Sequence, residues 1–327
     1  MNKICLLFTS LLVCSFLNVN AQYTELINSN RPGTSQGAFA VGNKVLQFET
    51  GLAMGWEDHS LLKTETDAFT VDYAIRYGLL WEQLEINFSG SFLSESVVDN
   101  RSVVPFEYER SNFRSNTLGA KYLIYDPYKK RDLEKPNLYS WNANNKFRWR
   151  ELIPAVSFYA GVNFDTKENP FLPPNDPSIS PKFVLMTQNN MEGGFVFVTN
   201  FIVDRITSDF PTYSYILTLT HAFNPRFSIF VENQGIKSDF YADQLIRFGG
   251  AHLFGKDFQI DALATLNLKD TPSKFFIGIG ASYRFDMHAK DELIEDPADA
   301  KKRKEEEKEE KDKNRRKDDF IDEDIQG

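Results

Sequence analysis

Charged side chains alternate with apolar ones in several stretches of this sequence. Between Ala68 and Leu79, Asp72 and Arg76 share one face, and aromatic and aliphatic residues share the other. A period of two is the pattern of a β-strand. Charges that face a lumen can select the solutes that pass, or they can pair with one another and close a narrow barrel. Both readings are open at this point. The candidate lumen-lining charges are Glu49, Asp72, Arg76, Glu85, Lys121, Glu232 and Arg247.

The residues that usually carry catalysis or bind metals form no recognisable motif. The histidines lack the spacing of metal ligands, and no phosphate-binding loop or nucleophile motif is present. We therefore predict that the protein is not an enzyme and that it needs no metal or other cofactor. The four histidines are His59, His221, His252 and His288.

The first 21 residues have the features of a secretory signal peptide. Lys3 provides the positive charge, an apolar run follows, and a small-residue cleavage site ends at Ala21. A lipoprotein signal is the weaker alternative, because Cys14 lies inside the apolar run and is not preceded by a small residue. Cys5 and Cys14 are the two cysteines of the sequence, so cleavage after Ala21 removes both.

The closing hairpin, from Phe258 to Phe285, shows the strand pattern most clearly. Apolar residues occupy every second position on both sides of a polar turn, and each strand is about eleven residues long, enough to cross a bilayer when tilted. The last strand ends on an aromatic residue, as final strands of outer-membrane barrels do. We predict that Tyr283 and Phe285 form a terminal signal for the outer-membrane assembly machinery.

The same pattern predicts about twelve strands, within a range of 12–14, between residues 44 and 285. Their connections alternate between short turns and longer loops, as in bacterial barrels. The predicted strands are Val45–Trp56, Ala68–Leu79, Gln83–Glu95, Phe113–Tyr125, Leu152–Phe164, Lys182–Asn189, Gly194–Asp204, Tyr213–Ala222, Arg226–Gln234, Gln244–Phe254 and the two of the closing hairpin.

An antiparallel up-and-down transmembrane β-barrel fits these strands better than a soluble β-sandwich. The strands exceed the usual length of five or six residues. Their inward faces carry charges that a dry sandwich core would not accept. No apolar run long enough for a membrane helix follows residue 21, and a strand can cross lipid only in a closed barrel.

The start of the mature chain resembles a known family. Arg31-Pro32-Gly33 is followed by small residues and by a strand that begins Leu-Gln-Phe-Glu-Thr-Gly at Leu46. This motif resembles the outer-membrane transporter family called “MetA-pathway of phenol degradation”, over about residues 31 to 285. The resemblance implies a barrel in the outer membrane more firmly than it implies phenols as solutes. We expect residues 22–43 to form an N-terminal periplasmic segment.

Two stretches fall outside the barrel pattern. Asp126 to Glu151 could hide two further strands, form a short helix at the barrel base, or dock a partner. Residues 286–327 form a charged tail, which we predict to be periplasmic and either disordered or a solvated helix. Its acidic and apolar end could bind a periplasmic or assembly partner. The docking candidates are Asp318, Asp319, Phe320, Ile321 and Ile325.

Two functions are compatible with this architecture. The first is a channel or transporter in the cell outer membrane for small solutes, hydrophobic ones included, which the family resemblance favours. The second is a non-conducting barrel that anchors an outer-membrane complex through its tail. Both predict contact with outer-membrane lipid, and the net charge of −9 argues against a nucleic-acid partner.

Overall fold

The computed structural model describes residues 26–129, 152–166, 168–173, 176–191 and 193–288. The chain divides into a unit Met1–Met287, which contains the barrel, and a unit His288–Gly327, which apart from His288 lies outside the described residues. The described residues contain no helix that is long and apolar enough to cross a membrane.

Twelve antiparallel strands form a closed barrel, in which each strand pairs with its neighbours in sequence and β1 pairs with β12. The predicted fold class and strand number are therefore confirmed. The strands are β1 (Val45–His59), β2 (Thr64–Gly78), β3 (Leu84–Asp99), β4 (Phe106–Tyr125), β5 (Ala155–Phe164), β6 (Ile179–Met191), β7 (Phe195–Asp204), β8 (Thr212–Asn224), β9 (Phe227–Lys237), β10 (Ala242–Phe254), β11 (Phe258–Asn267) and β12 (Ser273–Asp286).

The two ends of the barrel differ in their connections. One end carries the start of β1, the end of β12 and the turns 79–83, 192–194, 225–226 and 255–257; we call it the short-turn end. The connection 126–154 starts and ends there, and residues 130–151 of the predicted insertion Asp126 to Glu151 are outside the described residues. The opposite end, the loop end, carries the connections 60–63, 100–105, 165–178, 205–211, 238–241 and 268–272.

Alternation along each strand separates an apolar outer surface from a polar interior. On β1, Phe48, Leu52, Met54 and Trp56 are exposed on the outside. Gln47, on the other face of the same strand, is fully buried inside the barrel. An apolar outer band is what the hydrocarbon region of a membrane requires, and closure of the sheet satisfies the backbone hydrogen bonds there.

One strand is much longer than the sequence pattern predicts. β4 begins at Phe106 and not at Phe113, because residues 106–112 pair with β3 starting from Asp99. These residues are largely polar and have no clear alternation of apolar side chains. Cross-strand pairing extends the hairpin nevertheless, and an ion pair between Arg110 and Glu95, 2.6 Å from nitrogen to oxygen, joins the two strands.

Candidate functional site

The described part of the N-terminal segment, residues 26–43, lies inside the barrel near its short-turn end. Ala38 and Val41 are 0% and 1% exposed although they belong to no strand. The sequence predicts a periplasmic segment over residues 22–43, and the described residues 26–43 of this segment contact the inner wall of the barrel. The physical reason is that the interior wall offers polar partners along the whole length of the segment. We call residues 26–43 the plug segment.

The first of these partners is Asp261 on β11, which binds Arg31. Arg31 Nε and Nη2 lie 3.2 and 3.1 Å from Asp261 Oδ2 and Oδ1, so the guanidinium and the carboxylate meet as two parallel hydrogen bonds. The guanidinium also covers Gly51 and Gly280, which face each other across β1 and β12. A Cβ at either glycine would overlap it. Two glycines and one carboxylate therefore form a slot that holds Arg31.

The second partner is Glu232 on β9. Its carboxylate accepts hydrogen bonds from the backbone N–H groups of Thr34 and Ser35, each at 3.1 Å, and from Thr34 Oγ1 at 2.7 Å. The barrel wall supplies two more donors, Thr218 Oγ1 at 2.8 Å and Arg247 Nη1 at 2.9 Å. This carboxylate, which is fully buried, is thus saturated by donors from both sides.

The middle of the plug segment exchanges backbone hydrogen bonds with side chains of the wall. Gln36 N–H donates to Asn200 Oδ1 at 2.6 Å, and Asn200 Nδ2 donates back to Gln36 O at 2.8 Å. Ala38 N–H donates to Gln188 Oε1 at 3.0 Å, and Ser157 Oγ donates to Ala38 O. Side chains of the wall therefore satisfy backbone groups of this segment, which pairs with no described strand.

A buried ion network lies beneath the last part of the plug segment. Arg76 binds Glu85 through Nε at 2.8 Å and Glu49 through Nη1 at 3.0 Å. Lys121 Nζ lies 3.2 Å from Glu85 Oε2, and it also donates to Phe39 O at 2.9 Å. All four charged side chains are at most 4% exposed. Charged side chains buried to this degree are stable only when each is paired with an opposite charge or hydrogen-bonded. Each of these four charges has such a partner.

The structure therefore brings together six of the seven charges that the sequence predicted for the lumen. Glu49, Arg76, Glu85 and Lys121 form one network, and Glu232 and Arg247 form a second pair, with the plug segment in contact with both. Asp72 lies four residues further toward the loop end on β2 and is half-buried.

The other predicted sites are separate from this interior. Tyr283 and Phe285 lie on the outer face of β12 at the short-turn end, with ring centroids 4.5 Å apart. Phe285 also packs edge-on against Phe48 of β1 at 5.8 Å. The docking candidates Asp318 to Ile325 lie outside the described residues. No group of three or more His, Cys, Asp or Glu side chains in the described ranges is placed to hold a metal ion.

Sequence analysis predicts Glu232 and Lys121, which hold the plug segment, but it does not predict several of the other residues that do so. Arg31 is part of the family motif, and Asp261 is one of the polar residues between the apolar positions of the closing hairpin, so neither is marked by its sequence as a partner of the other. A usable signal was present in the inward-facing glycines Gly51 and Gly280, because a close approach of another group is a common reason for glycine within a strand. The amide side chains Gln188 and Asn200 gave no such signal.

Several solved outer-membrane barrels are similar to this chain. The COG4313 outer-membrane channel from Pseudomonas putida F1 is 10% identical, with a TM-score of 0.50 over 79% of this chain and 100% of that chain. The translocator domain of the autotransporter NalP from Neisseria meningitidis is 9% identical, with a TM-score of 0.44 over 75% of this chain and 89% of that one. The TodX monoaromatic hydrocarbon channel is 10% identical, with a TM-score of 0.44 over 76% of this chain and 92% of that one.

The first of these similarities shows the fold, a barrel of the outer-membrane type. No curated protein matches the sequence. The family described as “Putative MetA-pathway of phenol degradation” matches residues 29–285, well over half of the chain, and the protein belongs to this family of outer-membrane barrels.

Proposed function

We propose that this protein is an outer-membrane channel for small solutes whose lumen is closed by the plug segment and opens when that segment leaves its wall contacts. The observation that carries the proposal is that residues 26–43 lie inside the barrel and are held to its wall largely by polar contacts, beside one small apolar cluster around Ala38. When the segment leaves, water can replace each of these hydrogen bonds, at a net cost of about 0.5–1.5 kcal/mol for a neutral pair and about 1.5–3 kcal/mol for a bond to a carboxylate. A segment held in this way can leave without unfolding the barrel.

The orientation follows from the usual arrangement of such barrels. Short turns face the periplasm and longer loops face the outside. The plug segment would then close the channel from the periplasmic side, with the signal peptide removed after Ala21 and the tail 286–327 in the periplasm. Once the segment has left, the charges Glu49, Asp72, Arg76, Glu85, Lys121, Glu232 and Arg247 would line the path and select among ions.

The pair Ser29 and Ser282 allows a direct test. Ser29 Oγ on the plug segment lies 2.7 Å from Ser282 Oγ on β12. This proximity suits the double variant Ser29→Cys/Ser282→Cys for a disulfide, since bonded sulfurs need Cβ atoms about 4 Å apart. We expect the oxidised barrel to be silent in planar bilayers and to open only after a reducing agent is added. The two single variants, Ser29→Cys and Ser282→Cys, are the controls, and their current should be the same before and after the reducing agent is added.

Ion selectivity provides the second part of this test. If the lumen charges line the path, Glu49→Gln or Arg76→Gln changes the ion selectivity of the reduced barrel. If the reduced and oxidised barrels are equally silent, and remain so after the segment is destabilised by Gly33→Ala, the channel proposal is wrong.

The alternative function is an accessory barrel that does not conduct, and the buried ion network between Arg76, Glu85 and Lys121 favours it, since it closes part of the lumen by itself. Such a protein would act through a periplasmic partner bound to its tail. Removal of residues 289–327 separates the two functions. A channel would keep its conductance without the tail, whereas an accessory barrel would lose its complex, as measured by co-purification after crosslinking in cells.

A further inference from the structure

We propose that the slot formed by Gly51, Gly280 and Asp261 is a binding site for the guanidinium group of a solute, and that Arg31 occupies it while the plug segment is docked. This inference rests on the proposed function, because a solute reaches the slot only when Arg31 has left it. The ligand class is a small organic cation with a flat guanidinium or amidinium head, including a peptide that carries an arginine.

The shape of the slot selects a flat group. Gly51 and Gly280 are paired across β1 and β12, and Asp261 pairs with Gly280 from the other side, so the three residues form one row on the inner wall. The Arg31 guanidinium rests on the two glycines, where a Cβ would collide with it. Its two nitrogens meet both carboxylate oxygens, a match that a guanidinium makes and a compact ammonium does not.

The slot contains one buried negative charge, the carboxylate of Asp261, which a bound cation would neutralise. Among the described residues, the one ion pair of Asp261 is with Arg31. Glu232 keeps Arg247 at 2.9 Å when the plug segment leaves, and Glu85 keeps Arg76 at 2.8 Å. Asp261 thus differs from Glu232 and Glu85, since it depends on the segment for its counter-charge. Its side chain is 0% exposed, and a buried carboxylate without a partner is costly.

The test uses the full chain with Arg31→Ala, and methylguanidinium as the probe. We expect millimolar methylguanidinium to raise the unfolding temperature of this variant in detergent, because a ligand that binds only the folded state stabilises it. The wild-type protein should show no such shift, since its slot is occupied. Arg31→Gln, which disturbs the segment less, should give a smaller shift than Arg31→Ala, because its carboxamide can occupy part of the slot.

Four controls identify the site. Asp261→Asn combined with Arg31→Ala should abolish the shift, and so should Gly280→Ala, because its methyl group fills the slot. Gly278→Ala, on the same strand but with no plug-segment atom nearest to its Cβ position, should leave the shift intact. Methylammonium, which has the same charge but is not flat, should give a much smaller shift than methylguanidinium.

The outcomes separate this inference from the proposed channel. If methylguanidinium gives equal shifts with and without Asp261, or if methylammonium matches it, the slot is not a guanidinium site. If the Arg31→Ala barrel binds methylguanidinium and also conducts, the probe should reduce the current in the range where it stabilises. A barrel that binds the probe but never conducts would support the guanidinium site and contradict the proposed channel function.

Discussion

Gly33 lies so close to Glu232 that a Cβ on the glycine would stand 2.5 Å from the carboxylate oxygen Oε2. The absence of a side chain at Gly33 therefore lets the next two backbone N–H groups, of Thr34 and Ser35, reach that carboxylate. The glycine of the family motif is explained by this approach, and the arginine two positions before it by the slot at Asp261. Arg31 and Gly33 of the motif therefore both contribute to docking of the plug segment.

Gly33→Ala should weaken the docking of the plug segment without unfolding the barrel. The added methyl group pushes the segment away from Glu232 and lengthens the hydrogen bonds of Thr34 and Ser35, each worth about 1.5–3 kcal/mol because the acceptor is charged. A loss of about 1.4 kcal/mol raises the open fraction tenfold. Planar-bilayer recordings should show at least that increase in open probability.

The matched control for this measurement is Gly278→Ala, an interior glycine whose nearest neighbours are Leu52 O and Ala53. It should leave the open probability unchanged. Equal gating in both variants would contradict the role assigned to Gly33.

Arg76→Met should destabilise the whole barrel. Arg76 is the central cation between Glu49 and Glu85, and its removal leaves buried carboxylates with less compensation. Loss of one partner from a buried ion pair costs about 3–5 kcal/mol. Unfolding by guanidinium chloride in lipid vesicles should show a loss of this order. Arg101→Met, which removes an ion pair exposed to solvent at the loop end, should change the unfolding midpoint little.

The loops at the loop end should respond to pH through Asp165. Burial raises the pKa of Asp165 above its ordinary value of 3.8, and this outweighs the attraction of Arg205, whose Nη1 lies 2.8 Å away. A carboxyl with a raised pKa in the folded state contributes stability that is present below its unfolded pKa and lost as the pH rises through the folded pKa. The packing of loop 165–178 should therefore loosen as the pH rises from below 3.8 through that raised pKa.

Hydrogen exchange of the loop 165–178 across this pH range is the measurement. In Asp165→Asn, the group that titrates is gone, so exchange corrected for its chemical pH dependence should no longer change in that window. If hydrogen exchange responds to pH in the same way in the wild type and in the variant, a group other than Asp165 causes the response.

Phe285→Ala should lower the amount of folded barrel in the outer membrane. Phe285 packs on Phe48 across the β1–β12 seam, where the sheet closes, and its position at the end of β12 matches the proposed assembly signal. The fraction of heat-modifiable barrel in membrane fractions is the measure. Phe275→Ala, at the opposite end of the same strand, removes an equal outward-facing ring. If both variants lose the same amount of folded barrel, Phe285 contributes only side-chain packing, and its role as an assembly signal is contradicted.

Much of the fold was predictable because strand periodicity is local. The alternation from Phe258 to Phe285 and the apolar face of β1 are determined by neighbouring residues, and the twelve strands counted from such patterns are confirmed. The inward direction of Arg76, Glu85 and Glu232 followed from the same periodicity. The start of β4 at Phe106 was missed, because its polar residues gain strand structure only from pairing with β3.

The sequence by itself thus determined the barrel, its strand number, the family and which charges face inward, since each depends on local patterns or on a short motif. The tertiary structure alone decided that residues 26–43 lie inside the barrel against its inner wall. It also decided that Arg31 meets Asp261, 230 positions away in the chain. The physical reason is that closure of the sheet brings β1, β11 and β12 side by side, and only then do two glycines and a carboxylate form one slot.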